Sequence, residues 1–360
     1  MTRTRCPSGA TPHAVTRLAL VLALLAIPRV ALSQLQPERL YYGRDRAAPM
    51  VVEVPEGFAG EARIALFEPG GESPIDSAPA AAGRVDVAAL FPTLWTADDP
   101  RLVYAQLELD GVPVGAPVVL QPLLTPNTAA NVSPQNPLQP TFGRGTPLFE
   151  DDRLALMARS GLAESPERSV TFSGMRAYVD KQVVFDTSAG EIVFRMRPDV
   201  APDTVFNFLH LVEGGFYTDV IFHRVVAQLP GGAPFVIQCG DPTGTGSGGP
   251  GYFIDLEKST LPHDFGVLSM ARSNDPNTNG SQVFVCLSRE GTARLDGLYT
   301  SFAETVAGAD VILKIASVET GDADRPIEPP VIRSARLVDA PPFGSRPSPV
   351  TRPEPEPVDR

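Results

Sequence analysis

The chain has four histidines and three cysteines among its 360 residues, residue types that serve hydrolytic and metal chemistry. His210, His223 and His263 could serve a serine nucleophile at Ser269 or Ser281, but no Gly-x-Ser-x-Gly elbow is present to raise a hydroxyl above a sheet. There is no Cys-x-x-Cys pair, and the Cys and His spacing matches no zinc or iron–sulfur ligand set. The glycine-rich run 244–251 could tempt a phosphate-loop reading. It lacks the Gly-Lys-Ser/Thr ending and leads into no helical pattern, so it reads as a tight loop. Four other stretches are more distinctive: Phe222-His223-Arg224-Val225, residues 235–251, residues 266–284 and residues 295–302.

Composition sets the frame for these stretches. The chain has 38 Pro, about twice the usual ~5% share, clustered at residues 122–147 and 341–357. Its net charge is −12, with 27 Arg and only 3 Lys. No basic run occurs outside the N-terminus, which argues against a nucleic-acid-binding face. At the N-terminus, Arg3, Arg5 and Arg17 precede an apolar run at 18–27, and Ala31-Leu32-Ser33 offers small residues for cleavage. This is the layout of a secretory signal peptide cut after Ser33, because the apolar core is only half the ~20 residues of a spanning helix. The expectation is an exported protein, periplasmic or secreted, with no stable membrane insertion after cleavage. Losing four Arg and no acid would take the net charge from −12 to −16. Cys239 and Cys286 would then sit in an oxidising compartment, where they could pair; two free buried thiols are the preferred reading.

The mature chain divides by pattern into a small all-β domain at 34–124, a Pro-rich linker with a possible short helix at 125–169, a second domain at 170–339 and a disordered Pro-rich tail at 340–360. The first domain reads as short β segments, ending in two alternating runs around Asp110-Gly111, a strong hairpin signal. A sandwich is the expected result, with Trp95 in its core and a role as spacer or binding module. In the second domain, residues 182–186 and 191–196 alternate around Ser188-Ala189-Gly190 as a hairpin. Pro202-Asp203 opens a helix whose apolar face is Val205, Phe208, Leu209 and Val212, and Gly214-Gly215 ends it. A second helix is expected at 311–316, after Gly308.

In order and spacing, the four distinctive stretches resemble the cyclophilin family of peptidyl-prolyl cis–trans isomerases, over roughly residues 181–338. The resemblance implies a mainly β fold: a closed eight-stranded antiparallel β-barrel capped by two α-helices, with the substrate groove outside the barrel. It implies Arg224 and Gln282 as catalytic residues. It also implies a proline pocket lined by Phe235, Val236, Phe284, Leu295 and Tyr299, Gln238 beside Gln282 holding the peptide backbone, and Ala271 with Arg272 at the edge where the residue before proline lies. No metal or cofactor is implied, and the partners are proline-containing polypeptides. Such chemistry asks for little. Rotation about Xaa-Pro faces a barrier of about 18–20 kcal/mol from amide conjugation, and a ring pocket plus a fixed donor near the prolyl amide lowers it without a nucleophile or base.

The departures from the family pattern are informative. Ten residues, 225–234, separate Arg224 from Phe235, where family members have about four, so the turn through 228–233 reads as an insertion that lengthens a hairpin. Arg272, Arg294 and Tyr299 stand where well-known eukaryotic members have Asn, Trp and His, which puts ciclosporin binding in doubt. The expected function is isomerisation of Xaa-Pro bonds in exported proteins. The alternative is a non-catalytic proline-peptide-binding chaperone or an envelope interaction module.

Overall fold

The computed structural model describes residues 34–126, 131–133, 136–141 and 170–353. The expected signal segment and most of the region expected to hold a short helix lie outside the described residues.

Short alternating runs build the N-terminal domain. Its strands are β1 (Gln34–Pro37), β2 (Tyr41–Gly43), β3 (Pro49–Glu53), β4 (Ala62–Phe67), β5 (Asp76–Pro79), β6 (Gly83–Asp86), β7 (Val103–Leu109) and β8 (Val112–Pro126), with single-turn helices α1 (Val87–Leu90) and α2 (Thr93–Thr96). β9 (Asn131–Ser133) and β10 (Asn136–Thr141) form a separate antiparallel pair. The chain then returns as β11 (Val170–Val179). Two antiparallel sheets result, ordered β1-β3-β6 and β2-β11-β8-β7-β4-β5. They share one apolar core, with Leu35 and Met50 from the first sheet meeting Ile64, Leu66 and Leu107 from the second. Asp110 and Gly111 take φ of 50° and 77°, the left-handed pair that a two-residue hairpin turn needs, and Leu109 pairs with Val112 across them.

The boundary expected at residue 170 is corrected to Asp180. β11 belongs to the N-terminal sheet, pairing with β8 from Val170↔Pro126 to Val179↔Val118. The cause is burial, since Phe172, Met175 and Ala177 face the first domain's core. The disordered tail is corrected too, through residue 353. Phe343 stacks on Phe67 at 4.4 Å and meets Tyr104 edge-on at 5.4 Å. Beyond it, Arg346 Nη2 pairs with Asp180 Oδ2 at 2.8 Å, and the Val350 amide donates to the Thr305 carbonyl at 2.9 Å. The prolines between these anchors carry no N–H to satisfy, so an extended strap can cross both domains at little cost in unmet donors.

The second domain consists of β12 (Lys181–Thr187), β13 (Gly190–Met196), β14 (Val220–Ile221), β15 (Arg224–Val226), β16 (Val236–Cys239), β17 (Val267–Met270), β18 (Val283–Cys286), β19 (Ser301–Ala307) and β20 (Val331–Asp339). Its helices are α3 (Pro202–Glu213), α4 (Arg289–Thr292) and α5 (Ala309–Ala316). α3 buries Val205, Phe208, Leu209 and Val212, the face that its 3.6-residue period predicts. Its Ala201 N-cap has no side-chain acceptor; the distant Glu257 carboxylate instead accepts from the amides of Asp203 (3.1 Å) and Thr204 (2.7 Å).

The closed eight-stranded barrel is corrected to a curled sheet of nine strands, in the order β14-β20-β12-β13-β19-β17-β18-β16-β15. Its two edge strands are neighbours in sequence, separated only by Phe222 and His223. β14 pairs with β20 and β15 with β16, and no ladder joins β14 to β15. One stretch of chain therefore supplies both edges of the curled sheet, which stays open between them. The core inside the curl holds Phe185, Phe194, Phe208, Tyr217, Phe222 and Phe302, each no more than 1% exposed.

Candidate active site

Side chains alternate across a strand, and this period assembles the site on the outer face of β15, β16 and β18. Val225, Ile237, Cys239, Val283 and Val285 point into the core. Val226, Val236, Phe284 and Cys286 point outward, joining Leu261, Val267 and Leu295 in a second apolar cluster. The alternation also settles the cysteines. Cys239 lies in the inner cluster and Cys286 in the outer one, on opposite faces of one strand pair, and both are free. Burial holds both thiols well above their ordinary pKa.

Above the outer cluster lies a cleft of about 470 Å³ lined by Arg224, Phe235, Val236, Gln238, Ala271, Arg272, Phe284, Leu295 and Tyr299, together with His223, Thr245, Gly246, Asp322, Ala323 and Arg325. Nine of the ten site residues named from sequence meet there. Val236, Phe284 and Leu295 form its floor, at 3%, 5% and 8% exposure, and the Tyr299 ring stands edge-on to Phe284 at 5.8 Å. Register explains why Phe235 reaches the cleft despite the long turn. Arg224↔Gln238, Val225↔Ile237 and Val226↔Val236 pair without a slip, and the extra residues close on themselves through Leu229 N to Ala233 O at 2.8 Å. Gly231 and Gly232, at φ of 118° and 93°, make that closure possible.

Gln282 is the tenth residue and does not line the cleft. Its Oε1 accepts from Gln238 Nε2 at 3.0 Å, while its Nε2 donates to the carbonyls of Gly246 (3.0 Å) and Gly248 (2.9 Å). Its side chain thus ties Gln238 to the glycine-rich loop. That loop is wound around Asp241, which accepts from Thr243 N, Thr243 Oγ1 and Gly246 N. Burial alone would raise the Asp241 carboxyl, but these bonds outweigh it and hold the group well below the usual carboxylate range.

Sequence reasoning missed the third wall, residues 322–325. Asp324 Oδ2 accepts from Arg224 Nη2 at 3.3 Å, and Arg325 Nη1 donates to the Gly244 carbonyl at 2.6 Å. Ala323 and Asp324 hold φ of 57° and 60°, an uncommon conformation for residues other than glycine. Nothing in the local sequence announces that pair of left-handed residues.

His263 does meet a serine and an acid. Its Nδ1 lies 3.0 Å from Asp296 Oδ1 and its Nε2 lies 2.9 Å from Ser269 Oγ. The order is that of a hydrolytic triad, but His263 and Ser269 are both 0% exposed, and no substrate carbonyl can reach the hydroxyl. Desolvation lowers the His263 pKa and favours the neutral ring, and that ring stacks on Phe284 at 6.0 Å. The trio supports the pocket floor. What the cleft itself offers is an apolar seat of ring size, a guanidinium beside it and a glutamine on the neighbouring strand, with no nucleophile at its floor.

The model of the cyclophilin type peptidyl-prolyl cis-trans isomerase family matches residues 182–337. A peptidyl-prolyl cis-trans isomerase-like 1 protein of Emericella nidulans is 41% identical over 163 residues, spanning 44% of this chain and 95% of that protein. The Schizosaccharomyces pombe peptidyl-prolyl cis-trans isomerase ppi1 is 41% identical over 152 residues, 41% of this chain and 92% of that protein. Among solved structures, a Cryptosporidium parvum cyclophilin type isomerase crystallised with the dipeptide Ala-Pro is 32% identical, covering 44% of this chain and 99% of its own, with a TM-score of 0.40. With relatives this similar matched over nearly their whole length, and with the family's model ending inside β20, the chain belongs to the cyclophilin-type peptidyl-prolyl cis-trans isomerases.

Proposed function

We propose that the cleft is the isomerase site, that Arg224 is its catalytic donor, and that its clients are proline-containing segments of exported proteins. The observation that carries this reading is the convergence of Arg224, Gln238 and the Val236–Phe284–Leu295 floor on one cleft. A pyrrolidine ring seated on that floor brings its amide beside the guanidinium. Twisting the bond localises the lone pair on the prolyl nitrogen, and a donor fixed near that nitrogen stabilises the twisted state more than either planar one. Gln238, braced by Gln282, supplies a polar contact for the flanking peptide backbone. The reaction makes and breaks no covalent bond, so the site needs fixed geometry and no proton relay.

Export rests on the signal-like residues 1–33, with their basic start, short apolar run and small residues at 31–33. N-terminal sequencing of the mature protein from the producing cell should then begin at Gln34. For catalysis, NMR exchange between cis and trans Ala-Pro peptide should be accelerated by the whole mature chain and slowed about 10²–10³-fold by Arg224→Ala. A loss below tenfold would remove Arg224 from the role. The rival reading, a proline-peptide binder without catalysis, drew on the inserted turn, and the unslipped β15–β16 register takes that support away.

A further inference from the structure

We propose that the cleft selects Xaa-Pro segments in which a carboxylate side chain flanks the proline, with Glu or Asp directly before proline as the preferred case. The inference rests on reading the cleft as the isomerase site.

Four guanidinium groups ring the cleft. Arg224, Arg272 and Arg325 line it, and Arg294 lies over the ring of Phe235, itself a lining residue, at 5.0 Å. Three carboxylates stand near them: Asp322 in the lining, Asp324 on Arg224, and Asp241, which accepts from the lining residues Thr245 and Gly246. Arg224 is therefore paired. Among the described residues, Arg272, Arg294 and Arg325 have no carboxylate partner. Arg272 and Arg325 instead meet backbone carbonyls: Arg272 Nε donates to Leu298 O at 3.0 Å and its Nη1 to Ser273 O at 2.9 Å, while Arg325 donates to Gly244 O. A carbonyl orients a guanidinium without cancelling its charge.

The contrast with the rest of the molecule makes this informative. In a chain of net charge −12, arginines elsewhere commonly meet acids. Arg195 and Arg197 share Glu304, Arg289 clasps Asp296 and Arg346 meets Asp180. Four guanidiniums against three carboxylates leave a small positive excess in an acidic protein, and none of those carboxylates pairs with Arg272 or Arg294, so that edge of the cleft draws anionic groups and repels cationic ones. Arg272 is the best placed of the three. It is half-buried, its guanidinium carbon sits 4.5 Å above the Tyr299 ring, and it adjoins Ala271 at the edge read as the seat of the residue before proline. An acid there would meet a charge already held in place beside an apolar wall, where screening is weaker than in open water.

The test compares the peptides Ala-Glu-Pro-Phe, Ala-Gln-Pro-Phe and Ala-Lys-Pro-Phe, with blocked termini, on the whole mature chain by NMR exchange at low salt. The Glu peptide should exceed the Gln peptide by about tenfold in kcat/KM, with the Lys peptide lowest. The spread should narrow to about twofold at 0.5 M salt. In the double variant Arg272→Gln, Arg294→Gln the Glu-to-Gln ratio should approach one, whatever that variant's absolute rate. Equal rates for all three peptides at low salt would overturn the acid preference and leave the isomerase reading intact. Exchange at the uncatalysed rate for every peptide would sink that reading instead. Binding shifts from the same titrations would then still compare Glu with Lys, and equal affinities would overturn the preference.

Discussion

Arg224 and Asp324, a hundred positions apart in sequence, meet at 3.3 Å at the mouth of the cleft. Their side chains are 41% and 45% exposed, so the pair adds little to stability. Its consequence is orientation, because a long flexible side chain acquires one preferred direction from a carboxylate on a backbone held in the left-handed region.

Replacing Asp324 with Asn tests this cleanly, since Asn tolerates the φ of 60° that the position requires. Folding and thermal midpoint should stay near wild type. The isomerisation rate should fall roughly three- to tenfold, in kcat rather than KM, because the donor is misdirected while the ring pocket is untouched. Asp324→Glu should restore part of the loss. Unchanged kcat in the Asn variant would show that Arg224 orients itself.

Much of this site was legible because strand period and local turn chemistry carry it. Val236 and Gln238 had to face one way and Ile237 and Cys239 the other, and Gly231-Gly232 could absorb the extra turn. Helix α3 showed its buried face in its spacing. What was hidden depends on contacts remote in sequence. Asp324 meets Arg224 only because the chain after α5 folds back over the glycine-rich loop. β11 reads locally as the start of the second domain, and only pairing with β8 assigns it to the first. Phe343 sits among prolines that signal disorder, yet its amide donates to Gln106 Oε1 at 3.1 Å. Cleft charge was likewise invisible, since the choice between carboxylate and carbonyl partners for an arginine is made by the fold.

Gly240 is where backbone geometry and site meet. It holds φ of 91°, and a Cβ there would lie 2.2 Å from the Ser281 carbonyl oxygen. Gly240→Ala must push apart the ends of β16 and β18 where Gln238 and Gln282 touch. A loss of about 1–3 kcal/mol in denaturant unfolding should accompany a fall in kcat/KM larger than unfolding at assay temperature explains. Full activity in the folded fraction would show that the Gln238–Gln282 bond is not needed.

Phe343 makes the strap's largest apolar contact and is 7% exposed. Phe343→Ala should cost about 3–5 kcal/mol, seen as a lower denaturant midpoint. The contacts it loses, with Phe67 and Tyr104, involve none of the residues lining the cleft, so isomerisation per folded molecule should hold. An unchanged midpoint would mean that the strap rests on the surface without stabilising it.

The same strap places Arg346 against Asp180, which is 4% exposed. Burial pushes the Asp180 carboxyl up to about 6 even though Arg346 lowers it. In the unfolded chain the group titrates near 3.9, so between these values the folded state binds the proton more tightly. The sign follows from linkage. Asp180 contributes most favourably below about pH 4, loses ground as pH rises to about 6, and stays at its least favourable level above that, by on the order of 2–3 kcal/mol. Asp180→Asn removes the titration. Measured by urea unfolding, the stability of wild type relative to the Asn variant should therefore decline from pH 4.5 to pH 7.5. A relative gain for wild type over that range would mean that the attraction of Arg346 exceeds the cost of burial, and that the ion pair, rather than Phe343 alone, holds the strap to both domains.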